Sequence, residues 1–198
     1  MENYSDQMAG VDEVGRGALF GPVVAAAVIL ADATIQQLLD QGMTDSKQLP
    51  PQQRLSLSQL IRKQAVAYQI GMASVYEIDR LNILQASLLA MQRSVLRLAI
   101  APECCLVDGN QKIPQLPMPQ TAIIKGDQSE PAIAAASILA KVWRDQLIIR
   151  LDQRYPGYHL ASNKGYGSVK HRQALQDLGP TRQHRLSFAP CQVRTLFG

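Results

Sequence analysis

Four acidic residues stand in or beside short apolar segments of the sequence. Asp12 and Glu13 lie inside one such segment, and Asp108 closes a second one. Asp127 follows a third segment, directly after a glycine. An ionised carboxylate is costly in such surroundings unless it is paired or bound to a cation. Carboxylates that converge would form an oxygen-rich site suited to Mg²⁺ or Mn²⁺, because a divalent ion relieves their mutual repulsion.

Each of these acids also has a purely structural explanation. Asp108 precedes a glycine and an asparagine, which is a common turn sequence. Asp127 has a glutamate three residues later and could cap the helix that follows. Asp12 or Glu13 could pair with Arg16. Taken together, three acidic strand ends in one chain favour a metal site.

The hydrophobic pattern predicts the elements that must position these acids. Strands are expected at residues 8–14, 23–30, 65–74, 104–107 and 121–124. Helices are expected from Pro50 onward and at residues 81–98, 131–151 and 168–178. This order predicts an α/β fold with a mixed sheet, in which sites form at strand ends and in the loops that leave them.

The composition fits one domain with a basic surface. The chain has 198 residues, of which 46% are hydrophobic, enough to bury a sizeable core. No apolar stretch is long enough to span a membrane, no secretion signal is evident, and the three cysteines lack zinc-site spacing. We therefore expect a cytoplasmic protein. The net charge is +4, and without the four acids 12 acidic residues face 20 basic ones, which favours a polyanionic partner.

A glycine-rich run, residues 15–21, follows the first acidic segment. It departs from the dinucleotide-binding fingerprint, because Phe20 stands where the third glycine belongs and Pro22 follows. Its glycines would let a nucleic-acid backbone approach the main chain, although a plain tight turn is the alternative. Tyr166, between two glycines, could stack on a base or sugar or simply lie on the surface. Ordinary phosphate-contact residues flank other turns: Ser46, Lys47, Lys125, Lys141 and Lys164.

Taken in order, these motifs resemble the bacterial ribonuclease HII family. The resemblance spans residues 9 to 190. Phe20, Trp143, Asn163 and Ser168 depart from the residues familiar in that family and leave the four acids intact. The segments that carry the resemblance are Gly10-Val11-Asp12-Glu13-Val14-Gly15-Arg16-Gly17, Asp45-Ser46-Lys47, Leu81-Asn82-Ile83-Leu84, Val107-Asp108-Gly109-Asn110, Lys125-Gly126-Asp127, Ala134-Ala135-Ala136-Ser137-Ile138-Leu139-Ala140-Lys141-Val142, Lys164-Gly165-Tyr166-Gly167 and His184-Arg185-Leu186-Ser187-Phe188.

The resemblance implies an α/β RNase H-like fold, with a central mixed five-stranded sheet flanked by helices. A single catalytic domain, residues 1–198, would include a helical C-terminal extension at roughly 155–198. The implied activity is hydrolysis of the RNA strand of RNA–DNA hybrids and nicking of duplex DNA 5′ of embedded ribonucleotides. A monomer using two Mg²⁺ or Mn²⁺ ions would leave 5′-phosphate and 3′-hydroxyl ends.

The resemblance also assigns roles to individual residues. The main chain of Gly15, Arg16 and Gly17 would sense the ribose 2′-hydroxyl, and Tyr166 would press on the sugar at the RNA–DNA junction. The catalytic, metal-binding residues would be Asp12, Glu13, Asp108 and Asp127. The substrate-binding residues would be Gly15, Arg16, Gly17, Ser46, Lys47, Asn82, Ser137, Lys141, Lys164 and Tyr166.

Strand geometry limits how the first two acids can act. Adjacent residues of a regular strand point to opposite faces, so Asp12 and Glu13 are not expected to aim both side chains at one ion. We therefore expect Asp12 to be the central ligand. Glu13 would reach round at the strand end or contribute its main-chain carbonyl.

Two other functions share some of these features. Another RNase H-like nuclease, such as a resolvase or transposase core, would have the carboxylates but not Gly15-Arg16-Gly17 or Lys164-Gly165-Tyr166. A non-catalytic nucleic-acid-binding module would use the acids structurally. A dinucleotide-dependent enzyme is disfavoured by Phe20 and Pro22.

Overall fold

A five-stranded mixed sheet forms the centre of the computed structural model, which describes residues 7–192. The strands follow the order β3-β2-β1-β4-β5; β1, β2 and β3 pair antiparallel, whereas β4 runs parallel to both β1 and β5. The mixed sheet expected from the sequence is thus confirmed, with strand ends that differ by a few residues. The bounds are β1 (Met8–Val14), β2 (Val23–Ile29), β3 (Ala67–Ala73), β4 (Cys104–Asp108) and β5 (Gln120–Ile123).

Eight α-helices accompany the sheet within the described range. The sequence predicted one helix at residues 81–98, and this prediction is wrong, because two helices meet within that segment. Leu81 ends α3, and α4 begins at Ile83, because Asn82 between them adopts a positive φ of 72° that a continuous helix does not allow. The bounds are α1 (Asp32–Asp40), α2 (Pro51–Gln64), α3 (Val75–Leu81), α4 (Ile83–Leu96), α5 (Gly126–Ser129), α6 (Pro131–Arg154), α7 (Leu160–Asn163) and α8 (Val169–Leu178).

Strand β2 is buried on both faces and separates two apolar cores. Val23, Ala25 and Ala27 face the core shared with α3 and α4, whereas Ala26 and Val28 face the core shared with α1, α2 and α6. This alternation is the two-residue period of a strand between two helical layers. The sheet with helices on both faces is therefore the expected α/β architecture.

Helix α6 crosses β1 at very close range. A Cβ atom at Gly10 would lie 2.1 Å from the carbonyl carbon of Ala132, so the main chains approach as only glycine permits. Gly10 and Asp12 are two residues apart and share a face of β1. The approach therefore brings α6, and with it Ser137, against the acidic end of β1.

The C-terminal part of the described chain packs on the loop that follows β1. A third apolar cluster joins Leu19 and Phe20 of that loop to Tyr158 and Leu175. The single-domain boundary with a C-terminal extension stays a prediction, and residues 193–198 of it lie outside the described range. Between residues 7 and 192, no helix combines the length and apolar character needed to cross a membrane.

Candidate metal centre

Three carboxylates converge where two parallel strands end. Asp12 and Glu13 of β1 and Asp108 of β4 each offer an oxygen atom, and these oxygens lie within 4.8 Å of one another. Asp12 is only 4% exposed, and the other two are partly buried. Because β1 and β4 are parallel neighbours, their carboxyl ends meet at one edge of the sheet. An all-oxygen donor set of this kind fits Mg²⁺ or Mn²⁺.

Glu13 joins this cluster from a strand without a bulge. The β1–β2 register continues unbroken through Asp12↔Ala26 and Glu13↔Ala25, and a Glu13 oxygen nevertheless lies within 4.8 Å of oxygens of Asp12 and Asp108. The β1–β4 pairing ends at Val11↔Val107, which leaves the β4 side of Glu13 open. Its longer side chain can thus reach round the strand end, which is one of the two roles that the sequence left open for it. That Asp12 and Glu13 do not both bind one ion through their side chains stays a prediction.

Burial and mutual repulsion disfavour the charged forms of the three carboxyl groups. Burial, then the charges of Glu13 and Asp108, raise the pKa of Asp12 well above its usual value. Burial also raises the pKa of Glu13, although Arg16, whose Nη1 lies 3.2 Å from Glu13 Oε1, opposes the increase. Burial and the charge of Asp127 raise the pKa of Asp108. Three carboxyls that resist ionisation together are the arrangement that a divalent cation would stabilise.

Asp127 lies beside this cluster but outside the group of three. It is buried in α5, and its Oδ2 lies 3.3 Å from Lys47 Nζ. Asp108 Oδ1 accepts a hydrogen bond of 2.8 Å from the main-chain N–H of Gly126, which fixes the start of α5 to the end of β4. The capping alternative for Asp127 gains no support, since α6 begins after Glu130 without a side-chain capping bond.

Two of the candidate substrate residues lie behind the carboxylates rather than on the surface. Ser46 Oγ and Ser137 Oγ are 2.8 Å apart, and both side chains are buried. A hydrogen bond with Ser137 also counteracts the raised pKa of Asp12. Ser137 is therefore placed to orient the Asp12 carboxylate, and Ser46 contacts Ser137.

The loop between β1 and β2 (residues 15–22, the substrate loop) and the turn that carries Tyr166 (residues 164–167, the tyrosine turn) lie side by side. Arg16 and Gly17 are exposed, and Leu19 N donates to the carbonyl of Gly165 over 2.8 Å. Tyr166 is partly buried, with Lys141 Nζ 5.8 Å from its ring centroid. The structure thus brings the candidate substrate loop against the turn that carries Tyr166.

The remaining candidates have local partners of their own. Lys141 pairs with Asp145 over 2.9 Å, and Lys164 Nζ donates to the carbonyl of Ala161. Asn82 is exposed, and its side chain caps α4 by accepting from Gln85 N over 3.1 Å. The first turn of α4 borders the same cleft as Glu13, Asp108 and Gly109. Asn82 therefore lies near the rim of that cleft rather than among the acids.

Sequence reasoning missed two buried arginines beneath the loop, Arg144 and Arg185. The signal for Arg144 was available: it stands four residues from Ala140 and from Ile148, hence on the buried face of α6. A cation on an apolar helix face indicates a specific internal role. Arg185 offers no such signal, because it lies outside the predicted helices and strands.

The chain is similar over nearly its whole length to ribonucleases of one kind. Residues 9–191 match the family described as Ribonuclease HII. The Ribonuclease HII of Acaryochloris marina is 74% identical over 196 residues, 99% of each chain. That of Trichodesmium erythraeum is 61% identical over 189 residues, 96% of this chain and 90% of the other. The crystal structure of ribonuclease H2 from Pyrococcus horikoshii aligns with a TM-score of 0.80 and 28% identity, covering 93% of this chain and 95% of that one.

Proposed function

The chain belongs to the ribonuclease HII family, and on that premise we propose how its own residues carry out the reaction. Enzymes of this family are metal-dependent endonucleases that degrade the RNA strand of RNA–DNA hybrids, and this chain is one of them. The observation that carries the proposal is the convergence of Asp12, Glu13 and Asp108 at the joint end of two parallel strands.

Asp12, Glu13, Asp108 and Asp127 would hold two divalent ions, Mg²⁺ or Mn²⁺. The support is an all-oxygen set in which burial and neighbouring carboxylates raise the pKa values of Asp12, Glu13 and Asp108. Such ions supply an activated water and stabilise the departing 3′-oxygen.

Substrate binding would separate Lys47 from Asp127. The lysine side chain is 73% exposed, so it is free to turn towards a phosphate of the substrate. Asp127 would then lose its ion pair and become available as a ligand. Asp127 would be the fourth acid of the site and would join it when substrate binds.

Substrate recognition falls to the residues around the loop after β1. The main chain of Gly15-Arg16-Gly17 would contact the 2′-hydroxyl, and Tyr166 would contact the sugar at the RNA–DNA junction. A 2′-hydroxyl distinguishes RNA from DNA at a single nucleotide, so duplex DNA with one embedded ribonucleotide would also be a substrate. Arg16 and Gly17 are exposed beside Glu13, as this role requires.

The other candidates would contact phosphates or support the acids. Lys47, Lys141 and Lys164 would contact phosphates, with Asn82 at the rim of the cleft. Burial of Ser46 and Ser137 favours a supporting role through Asp12, which adds to the predicted substrate contact. We further propose that the protein acts as a cytoplasmic monomer; light scattering after size exclusion should then give a mass near 21.7 kDa.

Cleavage of a duplex with one embedded ribonucleotide tests this function. With Mg²⁺ the strand should break on the 5′ side of the ribonucleotide and leave 3′-hydroxyl and 5′-phosphate ends, identified by mass spectrometry. An all-DNA duplex and a four-way DNA junction serve as controls and should stay intact, unlike with a resolvase. Cleavage in EDTA would contradict the proposal, because the reaction would then need no metal ion. A 2′,3′-cyclic phosphate end would also contradict it, since the 2′-hydroxyl would then be the nucleophile.

A further inference from the structure

Arg144 of α6 and Arg185 near the C-terminus, together the arginine pair, are buried cations without acidic partners. Both are 0% exposed, and neither takes part in any ion pair between residues 7 and 192. A buried charge without a counter-charge is among the costliest features a protein can keep. Burial accordingly lowers the pKa of both guanidinium groups, that of Arg185 to about 9.

The Arg144 side chain donates three hydrogen bonds, and each is accepted by a main-chain carbonyl of the substrate loop or the tyrosine turn. Nε donates to Pro22 O over 3.1 Å, and Nη2 donates to Phe20 O over 3.0 Å. Nη1 donates to Lys164 O over 2.9 Å. One guanidinium therefore bridges two segments that are far apart in the sequence. Its Cζ also lies 5.5 Å from the ring centroid of Tyr166.

Arg185 holds the same loop at both of its ends. Nη1 donates to Arg16 O over 2.8 Å, and Nε donates to Gly21 O over 3.0 Å. Its main-chain N–H donates to Leu19 O over 3.0 Å. Nη2 is buried and has no hydrogen-bond partner in the described part of the chain. The loop thus rests on a rigid planar fork that only arginine supplies.

We infer that Arg144 and Arg185 are positioning residues that set how strictly the enzyme discriminates ribose from deoxyribose. The inference rests on the proposed function, in which the main chain at Gly15–Gly17 reads the 2′-hydroxyl. A fixed donor or acceptor rejects a substrate that lacks its partner, whereas a mobile one adapts and loses that discrimination. Carbonyls held from behind by the arginine pair keep the outward groups of the loop in one place.

The test compares two substrates on each enzyme preparation. Arg144→Lys and Arg185→Lys keep a positive charge but cannot span several carbonyls. The readout is the ratio of kcat/KM for a duplex with one ribonucleotide to kcat/KM for the same duplex with a 2′-fluoro nucleotide, both with Mn²⁺. This ratio does not depend on the fraction of folded enzyme. We expect it to fall at least roughly tenfold, through loss of activity on the ribonucleotide substrate.

Arg93→Lys is the matched control, because Arg93 pairs with Glu77 over 2.6 Å in a pair separate from the loop. It should leave the ratio within about twofold while lowering Tm. Gly165→Ala is a second test variant: its added Cβ would lie 2.8 Å from Phe20 O at a positive φ of 83°, so it disturbs the same contact without removing an arginine. It should lower the ratio as the lysine variants do.

Two results overturn the inference. One is an unchanged ratio in lysine variants whose Tm falls, because the arginines would then be merely structural. The other needs only the wild type: rapid hydrogen exchange at the amides of Leu19 and Gly21, which should exchange as slowly as core strands. A wild-type enzyme that cuts neither duplex would instead refute the proposed function.

Discussion

At the scale of single residues, the acid cluster makes the metal-free protein less stable. Burial and neighbouring charges raise the pKa of Asp12, so the folded state binds more protons than the unfolded state between the two pKa values. Stability therefore falls as pH rises through that window, and the full loss is present only above the raised pKa of the folded state. Function accordingly requires carboxylates that folding alone does not favour.

Asp12→Asn should raise Tm in EDTA at pH 7.5, because the buried charge is removed. A gain on the order of 1 kcal/mol corresponds to about 2–4 °C for a chain of this size. The same variant should lose both cleavage and the Tm increase that Mg²⁺ gives the wild type. Asp40→Asn, an exposed acid on α1, is the control and should change neither. A lower Tm for Asp12→Asn in EDTA would contradict the electrostatic account.

Cation binding should release protons, since Asp12, Glu13 and Asp108 have raised pKa values. Mn²⁺ affinity should therefore be weaker at pH 5.5 than at pH 7.5. Calorimetric titrations in two buffers of different ionisation enthalpy measure the protons released. Equal affinity at both pH values, with no buffer dependence, would show that the acids are already ionised without metal.

The sequence identified the acids because a charge in an apolar strand is conspicuous, but it could not show which of them meet. That depends on the β1–β4 register, which aligns Val11 with Val107 and so places Asp12 beside Asp108. The surroundings of Asp127 likewise depend on a distant residue, because Lys47 pairs with it across 80 positions of the sequence. The buried arginines escaped notice because charged residues are read as surface by default.

At the scale of secondary-structure elements, strands were easier to predict than helix ends. The apolar runs of β2 and β4 are bounded by turn residues, which fixes them locally. The spacing of apolar residues continues through Asn82, so periodicity alone predicted one helix where a positive φ separates two. Helix α1 was missed although it has an apolar face, because it is only nine residues long and Leu38 is its one buried residue.

The close crossing of β1 and α6 makes Gly10 sensitive to any side chain. Gly10→Ala should lower the free energy of unfolding by roughly 3 kcal/mol or more, because its Cβ would meet the main chain of Ala132. Denaturant titration measures the change. Gly17→Ala is the stability control, since no atom lies within 4 Å of its added Cβ. Equal stability losses in the two variants would refute a tight crossing.

At the scale of the whole molecule, the chain has 20 basic and 16 acidic residues, and four of those acids are the ones proposed to bind metal. Binding of an RNA–DNA hybrid should weaken steeply with salt, because phosphate contacts release counterions. Using Asp108→Asn to prevent cleavage, Lys164→Gln should reduce the slope of log affinity against log salt by about 1. Lys63→Gln, on the exposed side of α2, is the control and should leave the slope unchanged. Equal slopes for both variants would remove Lys164 from the phosphate contacts.

The central claim is that Asp12, Glu13 and Asp108 act as one metal-binding unit in hydrolysis. Its most direct measurement is the cleavage rate of an RNA–DNA hybrid as a function of Mg²⁺, for wild type and Asp108→Asn, with hybrid affinity measured in parallel. We predict cleavage that needs Mg²⁺ in the wild type and is lost in the variant, at least roughly a thousandfold, with similar hybrid affinity. Near wild-type cleavage by Asp108→Asn, or cleavage by wild type in EDTA, would contradict it.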